Sequence, residues 1–272
     1  MTLSNQGANA ADAGRESDSE FHRALRNDLE DAEEVHKAFF PHESLSIPGL
    51  AYETFYKPAR RIGGDYYDFF PVQNGAWGIA IGDVCGKGIA AALLMASLQA
   101  SLRAQAMHTH SDPSMLIADI DRLVLAASPK HLYASLFYAE YDVTTRGLRY
   151  VNAGHNSPMV LRWEGSQCEV SYLEATGTAL GLLEGSQFTS KNFQLEKGDV
   201  FVAYTDGITE WDNPCSESWG HERLETLMRG CRGCTPGQIV RRVVDDVLAF
   251  AKNRSQSDDA TLMVVGVKDR RV

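Results

Sequence analysis

With 272 residues, 44% of them hydrophobic, the chain has material for one large globular domain plus an appendage and an ample core. A formal net charge of -10 argues against a nucleic-acid or anionic-membrane partner, and no apolar run is long enough to span a bilayer. The polar opening MTLSNQGANAADAGRESDSE lacks the basic and apolar regions of a signal peptide, so a cytoplasmic protein is expected.

Residues 1–18 are small and polar and read as a disordered tail. Residues 19–41 read as a helix and linker: Phe21, Leu25, Leu29, Ala32, Val35 and Phe39 recur at three- or four-residue steps until Pro41. That stripe either packs on the main body, pairs with a second copy in a homodimer, or docks a regulator. Residues 46–272 read as the main domain. It opens with the strands LAYETFYKP, GDYYDFFPV and AWGIAIGD. Two helices follow. The first runs from about Ile89 to Met107 with Leu94, Leu98 and Leu102 on one face. The second is capped by Ser111 or Asp112, has Pro113 in its first turn, and carries Leu116, Ile120 and Leu123. Strands return in LYASLFYAEYD, GLRYVNAG, PMVLRW and GDVFVAYTD. A helix over TPGQIVRRVVDDVLAFAK, with Thr235 as cap and Ile239, Val243 and Val247 on one face, precedes a last strand, ATLMVVGV. Strands in runs with helices in pairs predict an α+β fold of antiparallel sheets covered by helices, not alternating βαβ units.

The segment IGDVCGKG, Ile81 to Gly88, superficially resembles a phosphate-binding loop. It fails on detail. Only three residues separate Gly82 from the Gly86-Lys87 pair, and Gly88 stands where a hydroxyl is needed for magnesium. Asp83 would repel phosphate unless a cation lay between them. The five cysteines include one close pair, Cys231 and Cys234 in CRGC, with no second pair or histidines to complete a zinc set. Incidental thiols in a turn before a helix are the expectation there, against a redox or metal clip.

Five aspartates, at four places in the chain, do not look like solvated surface. Asp65 follows Gly63-Gly64; Asp83 ends WGIAIGD; Asp206 ends VFVAYTD before Gly207; Asp258 and Asp259 lead into ATLMVVGV. A carboxylate at the mouth of a sheet is costly unless solvated, paired or bound to a cation. Lys87 and Arg60 or Arg61 account for one or two of them. For any single one, a turn or strand cap is the plain alternative. Together they suit hard divalent ions with oxygen ligands.

Six blocks in order carry a resemblance: PARRIGGDYYDFF, IGDVCGKGIAAALLMA, YVNAGHNSP, TGTALGLL, GDVFVAYTDGITEWDN and SDDATLMVV. From about Gly49 to the C-terminus the chain resembles metal-dependent serine/threonine protein phosphatases of the PPM (type 2C) class, bacterial SpoIIE/RsbU-like branch. The resemblance implies an α-β-β-α sandwich of two antiparallel sheets flanked by helix pairs. It implies two manganese or magnesium ions bridged by Asp83, one held also by Asp65 and the Val84 carbonyl, the other by Asp206 and Asp258. Glu210 stands where some relatives hold a weaker third ion, and Asp259 is either an outer group or an alternative ligand. Arg60, in preference to Arg61, matches a phosphate-contacting arginine.

Such a site hydrolyses phosphoserine or phosphothreonine by water attack, with no covalent intermediate on the enzyme, so Cys85 is not a nucleophile. Cys85 replaces the histidine of the eukaryotic branch. Lys87, His155 and water are the remaining sources of the leaving-group proton. By the same resemblance the substrate is a phosphorylated STAS-domain anti-sigma-factor antagonist in a partner-switching pathway. The competing expectations are a non-catalytic phosphoprotein-binding module on a degenerate phosphatase fold and, further behind, a nucleotide-dependent enzyme.

Overall fold

The structure, a computed structural model, describes residues 6–41, 45–107, 112–129, 132–252 and 254–268. It divides into two units, Met1–Phe39 and Phe40–Val272. The first is a single helix, α1 (Gln6–Lys37). It starts well before Phe21, within the stretch expected to be a disordered tail. Ala8, Ala10, Ala11 and Ala13 are strong helix formers, which accounts for the earlier start. Residues 1–5 of that expected tail lie outside the described residues. Glu33 and Lys37 pair across one turn at 2.8 Å.

The second unit runs β1 (Leu50–Lys57), β2 (Tyr66–Pro71), β3 (Trp77–Val84), α2 (Ile89–Ala106), α3 (Pro113–Ala127), β4 (Ala134–Tyr141), β5 (Gly147–Ala153), β6 (Met159–Glu164), β7 (Gln167–Tyr172), β8 (Lys191–Gln194), β9 (Val200–Tyr204), α4 (Asp206–Thr209), α5 (His221–Arg229), α6 (Pro236–Ala251) and β10 (Ala260–Val267). The strands form two five-stranded sheets, ordered β1-β10-β9-β6-β7 and β2-β3-β4-β5-β8, with every strand pair antiparallel.

Strand periodicity explains the layering. In β10, Met263, Val265 and Val267 join Phe201 and Ala203 of β9 against Ile79, Ile81 and Phe137 of the other sheet. The alternate residues Leu262, Val264, Val200, Val202 and Tyr204 face the other way, onto Ile239, Val243 and Val247 of α6 and Leu224 and Met228 of α5. Successive side chains point to opposite faces, so a central strand buried on both reads as a continuous apolar run. Helices α2 and α3 cover the second sheet, α5 and α6 the first. This is the α+β sandwich expected from the strand runs.

Two local details refine the expected helices. Asp112 caps α3, accepting from Ser114 N–H at 2.8 Å; Ser111 lies outside the described residues. The inward face of α3 is Leu116, Ile120 and Val124, a four-residue step, and Leu123 points to solvent at 48% exposure. Thr235 caps α6 in a reciprocal box with Gln238. Among the described residues, no helix is long and apolar enough to cross a membrane.

Candidate active site

Both sheets contribute the acidic positions. Asp65 directly precedes β2 and Asp83 lies in β3, in the second sheet; Asp206 opens α4 after β9, and Asp258 and Asp259 precede β10, in the first. Asp65 is 1% exposed. Its Oδ2 accepts hydroxyl hydrogen bonds from Thr205 at 2.7 Å and Thr261 at 2.6 Å, so hydroxyls of one sheet hold a carboxylate of the other. Its Oδ1 is buried without a hydrogen-bond partner.

The electrostatics show that these groups are gathered. Burial pushes the Asp65 carboxyl well above the usual range, the neighbouring Asp83 pushes it further, and the two threonine hydroxyls oppose the rise. Asp83 is pushed up to about 7, first by burial and then by the charges of Asp206, Asp258 and Asp259. Asp206 is raised by burial, then by Glu210 and Asp258. Like charges facing one another in a partly dry site are unstable as a set of bare carboxylates. Among the described residues, no three of the acidic or other ligating side chains close on one point at ligand distance.

Glycines make the close approaches. A Cβ on Gly64 would stand 2.9 Å from the Val84 carbonyl oxygen, and one on Gly207 only 1.9 Å from the Asp259 carbonyl oxygen. The Val84 carbonyl therefore lies against the turn that carries Asp65, and the Asp206 turn packs on the entrance to β10.

Asp259 has a different part. Its Oδ1 accepts from Ala59 N–H at 2.6 Å and its Oδ2 from Gly64 N–H at 2.7 Å. Both oxygens clamp the turn that delivers Arg60 and Asp65. Backbone N–H groups thus engage both oxygens of Asp259. Asp258 is more exposed: its Oδ2 pairs with Lys87 Nζ at 3.1 Å, and its Oδ1 accepts from Asp259 N–H at 2.9 Å. Lys87 also donates to the Ser257 carbonyl, tying the glycine turn after β3 to the start of β10.

Arg60 is exposed and makes no hydrogen bond or ion pair among the described residues, whereas Arg61 is already engaged. The Arg60 guanidinium lies beside Gly88, where a Cβ would come within 3.1 Å of Nη1. Gly88 is the N-cap of α2, an end that favours anions. His155 is 5% exposed, its Nδ1 is 2.8 Å from Ser135 Oγ, and burial lowers its pKa to about 4. Ser135 stands opposite Asp83 across β3 and β4. A neutral, enclosed imidazole does not suit a proton donor at neutral pH. The segment Gly82–Gly88 runs from the end of β3, a strand of an antiparallel sheet, which removes the parallel-sheet setting that a phosphate-binding loop needs.

Sequence reasoning missed a cleft of about 530 Å³ beside Asp206, lined among others by Tyr172, Glu174, Tyr204, Glu210 and His221. His221 Nδ1 is 2.6 Å from Tyr204 Oη, and its Nε2 is 3.1 Å from Tyr172 Oη. These residues come from separate segments, and no spacing along the chain announces them.

The comparisons agree with this fold. Protein IcfG of Synechocystis sp. is 28% identical over 271 residues, covering 88% of this chain and 41% of that protein. Phosphoserine phosphatase RsbU of Bacillus subtilis is 30% identical over 213 residues, covering 76% of this chain and 60% of that one. The chain thus spans about half the length of the curated relatives it matches. The SiaA-PP2C domain of Pseudomonas aeruginosa superposes with a TM-score of 0.77 at 20% identity, covering 89% of this chain and 97% of that one. The catalytic domain of serine threonine protein phosphatase PstP, solved with two manganese ions, superposes at 0.58 with 15% identity, covering 81% and 99%. A family model described as Stage II sporulation protein E (SpoIIE) matches residues 73–268, most of the second unit, and the chain belongs to that family.

Proposed function

We propose that the chain is a metal-dependent protein phosphatase that hydrolyses phosphoserine or phosphothreonine on a protein substrate. The observation that carries this is the buried, partnerless Oδ1 of Asp65 inside a group of carboxylates that raise one another's pKa. Such a donor set fits hard divalent cations. Asp65, Asp83, Asp206, Asp258 and the Val84 carbonyl would hold two magnesium or manganese ions, with Glu210 near a weaker third. Bound there, such ions lower the pKa of water and neutralise phosphoryl charge.

The chain's own groups supply the rest. Arg60, unpaired at the N-terminus of α2, orients the phosphoryl oxygens with its guanidinium fork. Asp259 keeps the Arg60–Asp65 turn in register, and Lys87 holds Asp258 at the entrance to β10. Water attacks phosphorus, the bond from phosphorus to the serine or threonine oxygen breaks, and the products are inorganic phosphate and the free hydroxyl. Neither Cys85 nor His155 acts as nucleophile or acid. The name of RsbU, a phosphoserine phosphatase, supports the choice of substrate residue. We take a phosphorylated STAS-domain anti-sigma-factor antagonist, in the cytoplasm, as the physiological substrate.

The test is manganese-dependent release of phosphate from such a phosphoprotein and from an aryl phosphate, with Asp83→Ala and Asp206→Ala beside the parent. Both variants should lose activity by about 100-fold or more, beyond what outer-shell changes cause. Full activity in either variant, or a parent inert to both substrates at saturating manganese, overturns the reading.

A further inference from the structure

The pair Cys231 and Cys234 lies in the turn between α5 and α6, outside the carboxylate cluster. Cys234 N–H donates to the Cys231 carbonyl at 3.0 Å, which closes a tight turn. Such a turn holds its end Cα atoms within about 7 Å, close to the range a disulfide accepts. On α6, Arg242 reaches back and directs one nitrogen, Nη1, at both sulfurs: 3.7 Å to Cys231 Sγ and 3.5 Å to Cys234 Sγ. The same nitrogen donates to the Gly230 carbonyl at 3.3 Å, which fixes its position. Both thiols are free.

Their surroundings differ. Cys231 is 1% exposed within the core beneath α5 and α6, and its thiol donates to the Leu227 carbonyl at 3.2 Å. Cys234 is half-buried on an open cleft of about 920 Å³ that Gly237 and Arg241 also line. One thiol is therefore within reach of a dissolved oxidant, and the other is within reach only of its neighbour.

We propose that Cys231 and Cys234 form a reversible dithiol–disulfide couple, oxidised by a low-molecular-weight disulfide of the glutathione type, with Cys234 attacking and Cys231 resolving. Cys234 loses its proton to solvent as a thiolate next to the Arg242 guanidinium and attacks one sulfur of the oxidant. The oxidant's sulfur–sulfur bond breaks, one thiolate leaves, and a mixed disulfide remains on Cys234. Cys231 then gives up its proton and attacks the Cys234 sulfur, expelling the second thiolate. Two protein thiols are oxidised, one small disulfide is reduced to two thiols, and the two protons released protonate them. Burial raises the Cys231 pKa, in keeping with a thiol that reacts only within the pair. The inference stands whether or not the chain is a phosphatase.

The experiment treats the full chain with oxidised glutathione and follows intact mass, free thiols and the peptide map. The parent should lose the mass of two hydrogens, its free thiols should fall from five to three, and a reductant should reverse both changes. The map should join Cys231 to Cys234. Cys231→Ser should stop at one glutathione on Cys234, and Cys234→Ser should leave Cys231 unmodified. Arg242→Gln should slow the reaction at a fixed pH, because the guanidinium no longer stands beside the attacking sulfur. Circular dichroism of Cys231→Ser guards against a folding defect at the buried position, and Cys234→Ser, at the half-buried one, tests the pair without it. A parent that keeps all five thiols, an adduct that settles on Cys85, Cys168 or Cys215, or a Cys234→Ser chain that still reacts at Cys231 overturns the proposal.

Discussion

His155 shows how burial sets the charge of one side chain and, through it, a dependence on pH. Its pKa falls from 6.5 to about 4 because the enclosed ring cannot afford a charge. Between those values the unfolded chain takes up a proton that the folded chain refuses. Stability is therefore fully present above pH 6.5 and is lost as pH falls toward 4, by about 3 kcal/mol in all. Asp83, raised to about 7, contributes with the opposite sign, since its folded form holds a proton that the unfolded chain releases. The difference between the parent and His155→Asn isolates the histidine, because the aspartates are common to both. Urea unfolding at pH 7, 6, 5 and 4 should show the parent losing about 3 kcal/mol relative to the variant. A difference that stays flat across the series would mean that the ring is charged in the fold. The sequence showed a histidine in a glycine turn; it did not show that β9 would cover it, because burial depends on segments far along the chain.

At the scale of elements, α2 is held to the second sheet by a half-exposed arginine on a buried carboxylate as well as by its leucines. Asp68 in β2 is completely buried and accepts from Arg103 of α2 through Nε and Nη2, both at 2.7 Å, from Tyr66 Oη at 2.7 Å and from Phe69 N–H at 2.8 Å. Every oxygen of this carboxylate has a donor. Removing the guanidinium alone leaves a buried charge with no cation, a change that typically costs about 3–5 kcal/mol. Arg103→Ala should fall by that amount in urea unfolding, and the double variant Arg103→Met with Asp68→Leu should recover most of it. Equal losses in the two proteins would show that packing, not charge, was being measured. The hydrophobic pattern made α2 and α6 legible, because their apolar residues step by four and their ends carry recognisable turn chemistry. It did not announce α5, β7 or β8. Helix α5 is nine residues long with only Leu224 and Met228 buried, and β8 is a four-residue edge strand that is largely exposed. Such elements exist because neighbours supply their partners, a fact that local periodicity does not contain.

For the whole molecule, the acidic positions were legible because glycine and aspartate alternate at the ends of apolar strands, and their convergence follows from how the two sheets stack. The Thr205 and Thr261 hydroxyls on Asp65 are the stitch that joins them. Nothing in the local sequence distinguishes Asp258 from its neighbour Asp259, because the Ala59 and Gly64 N–H groups that engage Asp259 arrive from the far side of the chain.

In the first unit, α1 carries Phe21 at 65%, Leu25 at 43% and Val35 at 60% exposure. Exposed apolar side chains repeated along one helix are unfavourable in water and are relieved when a second apolar surface covers them. We infer a second copy of α1 as that cover, ahead of the main body and of a separate regulator. A copy is the more economical, because the stripe repeats at the three- and four-residue steps that two such helices share along a seam. Deleting residues 1–39 should therefore lower the mass measured by sedimentation from dimer to monomer while the second unit keeps its unfolding transition. Phe21→Glu with Leu25→Glu in the full chain should do the same, since charge on the stripe opposes pairing without shortening the helix. If the parent is already a monomer, the regulator remains, and the deletion should then change its response to that partner. A parent that is monomeric and unaffected by the deletion in any assay would leave the stripe without a role and refute the inference.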